Sequence, residues 1–154
     1  LNYVNLTNSN MNYINLEDSS LQNATMVNVR LNQANLQNVK LQGTKMKNAQ
    51  LSGANLQFST PIKADLTGSN LIKAKLNGAV MIDCILVDSM VAGADFTDAN
   101  LFKTDFTGAK GLTAEQLSKA RSIHMAIIDP EIEAKVKELA PHLFNHSNSK
   151  AAAN

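Results

Sequence analysis

The chain has 154 residues, one domain's worth, and its 14 Lys and Arg stand against 13 Asp and Glu for a net charge of +1. That balance argues against a general nucleic-acid binder, which presents a strongly basic face. No apolar run is long enough to cross a bilayer as a helix, no signal peptide is visible, and the single cysteine, Cys84, excludes an internal disulfide. Aromatic residues make up only 5% of the chain, none is Trp, and Asn is abundant. The core is therefore expected to be built from small, regular side chains and not from large rings.

In chain order the first feature is a period of five. Leu1, Leu6, Met11, Leu16, Leu21, Met26 and Leu31 open it, and it runs on through Leu36, Leu41, Met46, Leu51 and Leu56. Pro61 interrupts it chemically but not in phase, and Leu66, Leu71, Leu76, Met81, Leu86, Val91, Phe96, Leu101 and Phe106 continue it. Two places before most of these stands a small residue, such as Ala34, Ala64, Ala74, Cys84 or Ala94, often with Asn or Asp between, as in Ala34-Asn35-Leu36. The first residue, Leu1, is already in register, so the expectation is a processed precursor or a piece of a longer protein, open to pairing at that end.

A period of five matches neither the 3.6 of a helix nor the 2.0 of a simple strand. It fits a square in which each five-residue unit is one side and each corner is a turn. The large residue and the small one two places earlier then point inward together. Four sides make a coil of about twenty residues, and coils stack at roughly 4.8 Å. Residues 1–110 thus predict a stack of about five and a half coils. The second residue after the central Leu is often Gly or Asn (Asn8, Asn28, Gly43, Gly53, Gly68), as a type II turn requires. Tyr3, Tyr13, Phe58, Lys63, Lys73 and Asp83 hold that place elsewhere and are expected to use another turn. Pro61 is expected to cost one ladder hydrogen bond.

The A-(D/N)-L-x-x pattern resembles the pentapeptide-repeat family over residues 1–110. The resemblance implies an all-β solenoid, a right-handed quadrilateral parallel β-helix with a C-terminal α-helical cap.

The phase ends at Gly111. Thr113-Ala114-Glu115-Gln116 is a capping box with Leu112 and Leu117 as a hydrophobic staple, predicting a helix that reaches somewhere between Arg121 and Ile127. Asp129-Pro130 predicts a second helix with an apolar stripe of Ile132, Val136, Leu139 and Leu143. Residues 111–144 are read as a cap that keeps the last coil from edge pairing, and 145–154 as a disordered tail. The Gly111-Leu112-Thr113 stretch and the Asp129-Pro130-Glu131 helix start also resemble the C-terminal extension of cyanobacterial and chloroplast-lumen family members. Ile128 stands where those carry an aromatic residue. Localisation is accordingly expected to be cytoplasmic, or the thylakoid lumen or periplasm if a targeting segment was removed.

No catalytic constellation is legible. His124, His142 and His146 lack metal-ligand spacing, and Cys84 falls on an inward small position. Asp65, Asp95 and Asp105 face outward on different sides, and the glycines fall at corner spacing, so no cofactor or metal is expected. Lys45 is expected to stack on Asp65, and Lys63, Asp83 and Lys103 to alternate in a column. Function must then lie on the outer surface. The column Asn2, Gln22, Gln42, Ile62, Ile82, Phe102 turns from polar to apolar along the rod, and Val80, Ile85, Val87 and Met90 are outward neighbours of Ile82. This strip is the candidate partner surface, either covered by the C-terminal helices or free for a protein partner or for self-association. The leading expectation is a non-catalytic interaction scaffold with an unidentified protein partner. The resemblance implies two alternatives, a DNA-mimicking protein that protects DNA gyrase from quinolones and a secreted bacterial effector module.

Overall fold

The computed structural model describes residues 1–144; the tail expected over 145–154 lies outside them. Over residues 1–110 every fifth residue except Thr60 forms a parallel bridge to the residue twenty places on, from Asn5–Thr25 to Met90–Lys110. The chain therefore winds as a square, with four sides running through Asn5, Asn10, Asn15 and Ser20 (first to fourth), and each is restacked at intervals of twenty.

The repeat follows from where its five backbone N–H groups go. In the unit ending at Leu6, the Leu6 N–H donates to Thr25 O at 2.7 Å, and Asn8 N–H donates to Val27 O at 2.9 Å. Thr25 N–H donates back to Val4 O at 2.9 Å, and Ser9 N–H closes the corner on Leu6 O at 3.1 Å. That leaves the N–H just after the Leu, here Thr7, which donates to the Asn5 side chain at 3.1 Å. The same bond recurs from Glu17 to Asn15, Gln37 to Asn35, Thr67 to Asp65, Ile72 to Asn70 and Thr107 to Asp105. Asn or Asp precedes the Leu because its side chain supplies the acceptor that the ladder does not. Inside, Leu21, Leu41, Leu71, Ala54 and Ala74 are fully buried, the small residues making room for four inward chains per layer.

All twenty-two corners use one turn. The third residue has positive φ throughout, including Tyr3 (62°), Tyr13 (65°), Phe58 (58°), Lys63 (57°), Lys73 (58°) and Asp83 (54°), where a different turn was expected. The ladder explains the correction: every corner from Tyr3 to Asp88 donates its third N–H to a carbonyl of the next coil, so a corner of another type would break the stack. The strain of a bulky residue there, about 1 kcal/mol or more, is tolerated because bonds on both sides fix the geometry. At Pro61 the irregularity is as expected. Thr60 and Val80 form no bridge, and the Leu41 N–H to Thr60 O bond is 3.3 Å against 2.7–2.8 Å for most of its counterparts.

The C-terminal region departs more from expectation. Helix α1 spans only Ala114–Ser118, started by the Thr113 capping box. It ends early because the next residues re-enter the ladder: Asn100 bridges Ser122 and Asp105 bridges Ile127, a spacing of twenty-two where twenty held before. Ile123 is buried like a central Leu, Met125 takes the corner (φ 59°), Ala126 N–H closes it on Ile123 O, and Ile128 is buried next. One further repeat unit, shifted by two residues, thus follows Gly111. Helix α2 spans Pro130–Leu139 with Asp129 as N-cap. Val136 is its buried anchor, joined just beyond the helix by Ala140 and Leu143, whereas Leu139 is 56% exposed, contrary to the stripe read from spacing. The short 3-10 turn Pro141–Phe144 carries Leu143 inward, which leaves Leu139 on the outer face. Among the described residues no helix is long and apolar enough to cross a membrane.

Candidate partner-binding surface

The helices lie on the end of the stack. Gln116 shows how: its Oε1 accepts from Thr113 N–H while its Nε2 donates to Val91 O and Ala94 O at 2.8 and 2.9 Å. A side chain thereby satisfies the Ala94 carbonyl, which another coil would have taken, while Val91 O also accepts from Ala94 N–H at 3.0 Å within its own corner. Phe96 and Phe106 meet edge-on inside this last layer (centroids 5.8 Å apart) and belong to the same continuous buried core as Leu117 and Val136 of the helices.

The strip named from sequence stays at the surface. Ile62, Val80, Ile82, Val87, Met90 and Phe102 are each partly exposed, and Ile85 is 38% exposed. Their register sorts them by side. Thr60, Ile62, Val80, Ile82, Asn100 and Phe102 lie on the fourth side, Ile85 and Val87 on the first, and Met90 on the second. The residues therefore form a column on one side joined to a belt around the coil. His124 extends the column, its ring stacked on Phe102 at 5.8 Å with Nδ1 bonded to Phe144 O at 2.8 Å. Beyond it, Met125 (58% exposed) takes the next corner and Ile127 (55%) lies on the first side, over Asp105 and in register with Ile85. Sequence reading missed these two because the two-residue phase shift hid their unit.

The belt occupies the acceptor position of the repeat. Val80, Ile85 and Met90 stand in three successive units at the position where Asn or Asp caps the next free N–H in ten others; Thr25, Lys40, Lys45, Thr60 and Lys75 also leave that N–H uncapped, but only the belt does so with aliphatic side chains. Among the described residues the N–H groups of Ile82, Val87 and Ala92 have no protein acceptor.

Polar groups elsewhere behave as a solvated surface. Asn28 Nδ2 donates to Asn8 Oδ1 at 3.0 Å and Asn38 Nδ2 to Asp18 Oδ1 at 2.9 Å, side-chain ladders along the axis. Asp65 pairs with Lys47 (3.7 Å) and not with Lys45, the residue directly below it. The Thr97 hydroxyl, with help from its backbone N–H, Asn77 and Lys119, holds the Asp95 carboxyl below its usual range. Burial pushes the Cys84 thiol up to about 12, so it is a protonated core side chain. No cluster of His, Cys, Asp or Glu able to hold a metal occurs among the described residues.

A rod of stacked five-residue sides with bridges every twenty residues is a parallel β-helix solenoid. The chain belongs to the pentapeptide-repeat family: the family model for a pentapeptide repeat region matches residues 1–71, and that for pentapeptide repeats (8 copies) matches residues 64–101 and 88–110. Among solved structures it is similar to HetL, a pentapeptide repeat protein involved in heterocyst differentiation regulation in the cyanobacterium Nostoc sp. strain PCC 7120. Identity is 19% and TM-score 0.62, over 82% of this chain and 56% of HetL, so the chain spans about half of that relative. It is also similar to a trypsin-treated variant of QnrB1, a plasmid-mediated fluoroquinolone resistance protein, at 17% identity and TM-score 0.60 over 81% and 77% of the two chains. At such identities the likeness shows the fold, a right-handed β-helix, and nothing more. No curated protein sequence matches the chain.

Proposed function

We propose that the chain is a non-catalytic scaffold of about five and a half coils, closed by the helices of residues 111–144, that binds a protein partner through its apolar strip. The surface comprises Ile62, Val80, Ile82, Ile85, Val87, Met90 and Phe102. The observation that carries this reading is the aliphatic residue at three successive acceptor positions, Val80, Ile85 and Met90. A fold selected for stability alone gains nothing by leaving those N–H groups uncapped and aliphatic side chains in water, whereas a binding face does. Rigid solenoid faces commonly serve this purpose. DNA mimicry is disfavoured, since residues 21–80 carry seven Lys and Arg against the single acid Asp65.

Cross-linking in native lysate of the source tests the reading with the Ile82→Lys/Val87→Lys chain beside the parent. Loss of the cross-linked species with an unchanged melting curve supports it, provided Gln50→Lys on the second side has no effect. Equal cross-linking by all three chains contradicts it.

A further inference from the structure

The whole-chain charge balance conceals a segregation by height. Residues 81–100, the coil that carries most of the belt, hold Asp83, Asp88, Asp95 and Asp98 and no cation. Two of these four acids lie within the belt itself, at the corners between Ile82 and Ile85 and between Val87 and Met90. Asp88 is exposed and Asp83 partly so. Among the described residues the ion pairs within 4.0 Å are Lys47–Asp65 and Lys137–Glu133, so neither corner acid is held in one. Asp83 has Lys63 and Lys103 one coil to either side, but Lys103 Nζ lies over the Phe102 ring, 5.3 Å from its centroid. Asp88 stands between Gly68 and Gly108 and has no cation in its column.

We propose that the strip takes a cationic amphipathic helix of a partner protein, with Lys or Arg meeting Asp83 and Asp88 and aliphatic residues resting on Ile85 and Val87. This rests on the reading of the strip as a partner surface and names the chemistry of the partner. Geometry favours a helix. One side of the square separates the two acids by about 10 Å, and two turns of a helix separate residues seven apart by about 10.5 Å. The residues three and four places on then face the side between the corners. The corner acids add selectivity, since an acidic segment would meet like charge without relief.

The test uses the full chain and three labelled helical peptides of one register, Leu/Lys, Leu/Gln and Leu/Glu, titrated by fluorescence anisotropy at low salt. The Leu/Lys peptide is expected to bind about five- to tenfold more tightly than Leu/Gln. Asp83→Asn/Asp88→Asn is expected to erase that advantage, and Asp95→Asn/Asp98→Asn, on and beside the third side, to keep it. Asn is at home at these corners, as at Asn28 and Asn48, so the variants fold. An advantage that survives Asp83→Asn/Asp88→Asn, or equal binding of Leu/Glu, overturns the proposal. Equal binding of all three peptides that Ile82→Lys abolishes leaves the strip a partner surface but overturns the charge assignment. Binding that Ile82→Lys leaves untouched overturns both. A dimer in sedimentation that excludes the Leu/Lys peptide from the parent chain makes the occupant a second copy and also overturns it.

Discussion

Asp65 and Ile85 bridge one another on the first side, one coil apart, and treat the same backbone group in opposite ways. Asp65 Oδ1 accepts from Thr67 N–H at 3.1 Å and from the Thr67 hydroxyl at 2.6 Å. Ile85 offers Val87 N–H nothing. Ile85→Asn restores the acceptor at a site that is already partly solvated, and the expected gain is about 0.5–1 kcal/mol. Urea titration of the single variant measures it through a raised midpoint at unchanged slope.

Pro61 is the other place where the ladder is incomplete. Its ring fills a central position but has no N–H for the carbonyl of Val80, the bond its counterparts make. Pro61→Leu supplies both the donor and a larger buried side chain, against some gain in unfolded-state entropy. Stability is expected to rise by about 1–2 kcal/mol. Amide exchange is the direct readout, because the amide that this substitution introduces should be protected and its neighbours on the fourth side should slow.

Cys84 gives a pH dependence with a definite sign. Burial favours the neutral thiol, raising its pKa from 9.0 to about 12 in the folded chain. The stabilisation is fully present below pH 9 and is lost as pH rises from about 9 toward about 12. Thermal melts should fall over that window, and Cys84→Ser, which leaves a hydroxyl in place of the thiol, should flatten the fall. At about pH 8, below the ordinary thiol range, the folded chain should not react with an aromatic disulfide reagent, and the urea-unfolded chain should react at once.

The solenoid was legible because its determinants are local and repeated. The inward apolar residue recurs every five residues, and a small residue two places earlier and an Asn or Asp acceptor recur often at that spacing, so register needs no tertiary information. The corners at Tyr3 and Phe58 were misread for the opposite reason. Their intrinsic preference opposes positive φ, and the ladder of neighbouring coils overrides it. The unit Ile123–Ile128 was hidden by α1, which consumes residues out of phase and leaves a run that reads as helix continuation. The exposed ends of the strip, Met125 and Ile127, were lost with it. Leu139 was assigned inward by helical spacing, which cannot see that the chain turns at Pro141 and brings Leu143 to the same space.

The most direct measurement takes Val80→Asn/Ile85→Asn/Met90→Asn together and compares thermal stability and partner cross-linking with the parent chain. A higher melting temperature with loss of the cross-linked species is expected, because three acceptors return while the aliphatic belt disappears. A lower melting temperature, or retained cross-linking, would contradict a belt kept for binding at a cost in stability.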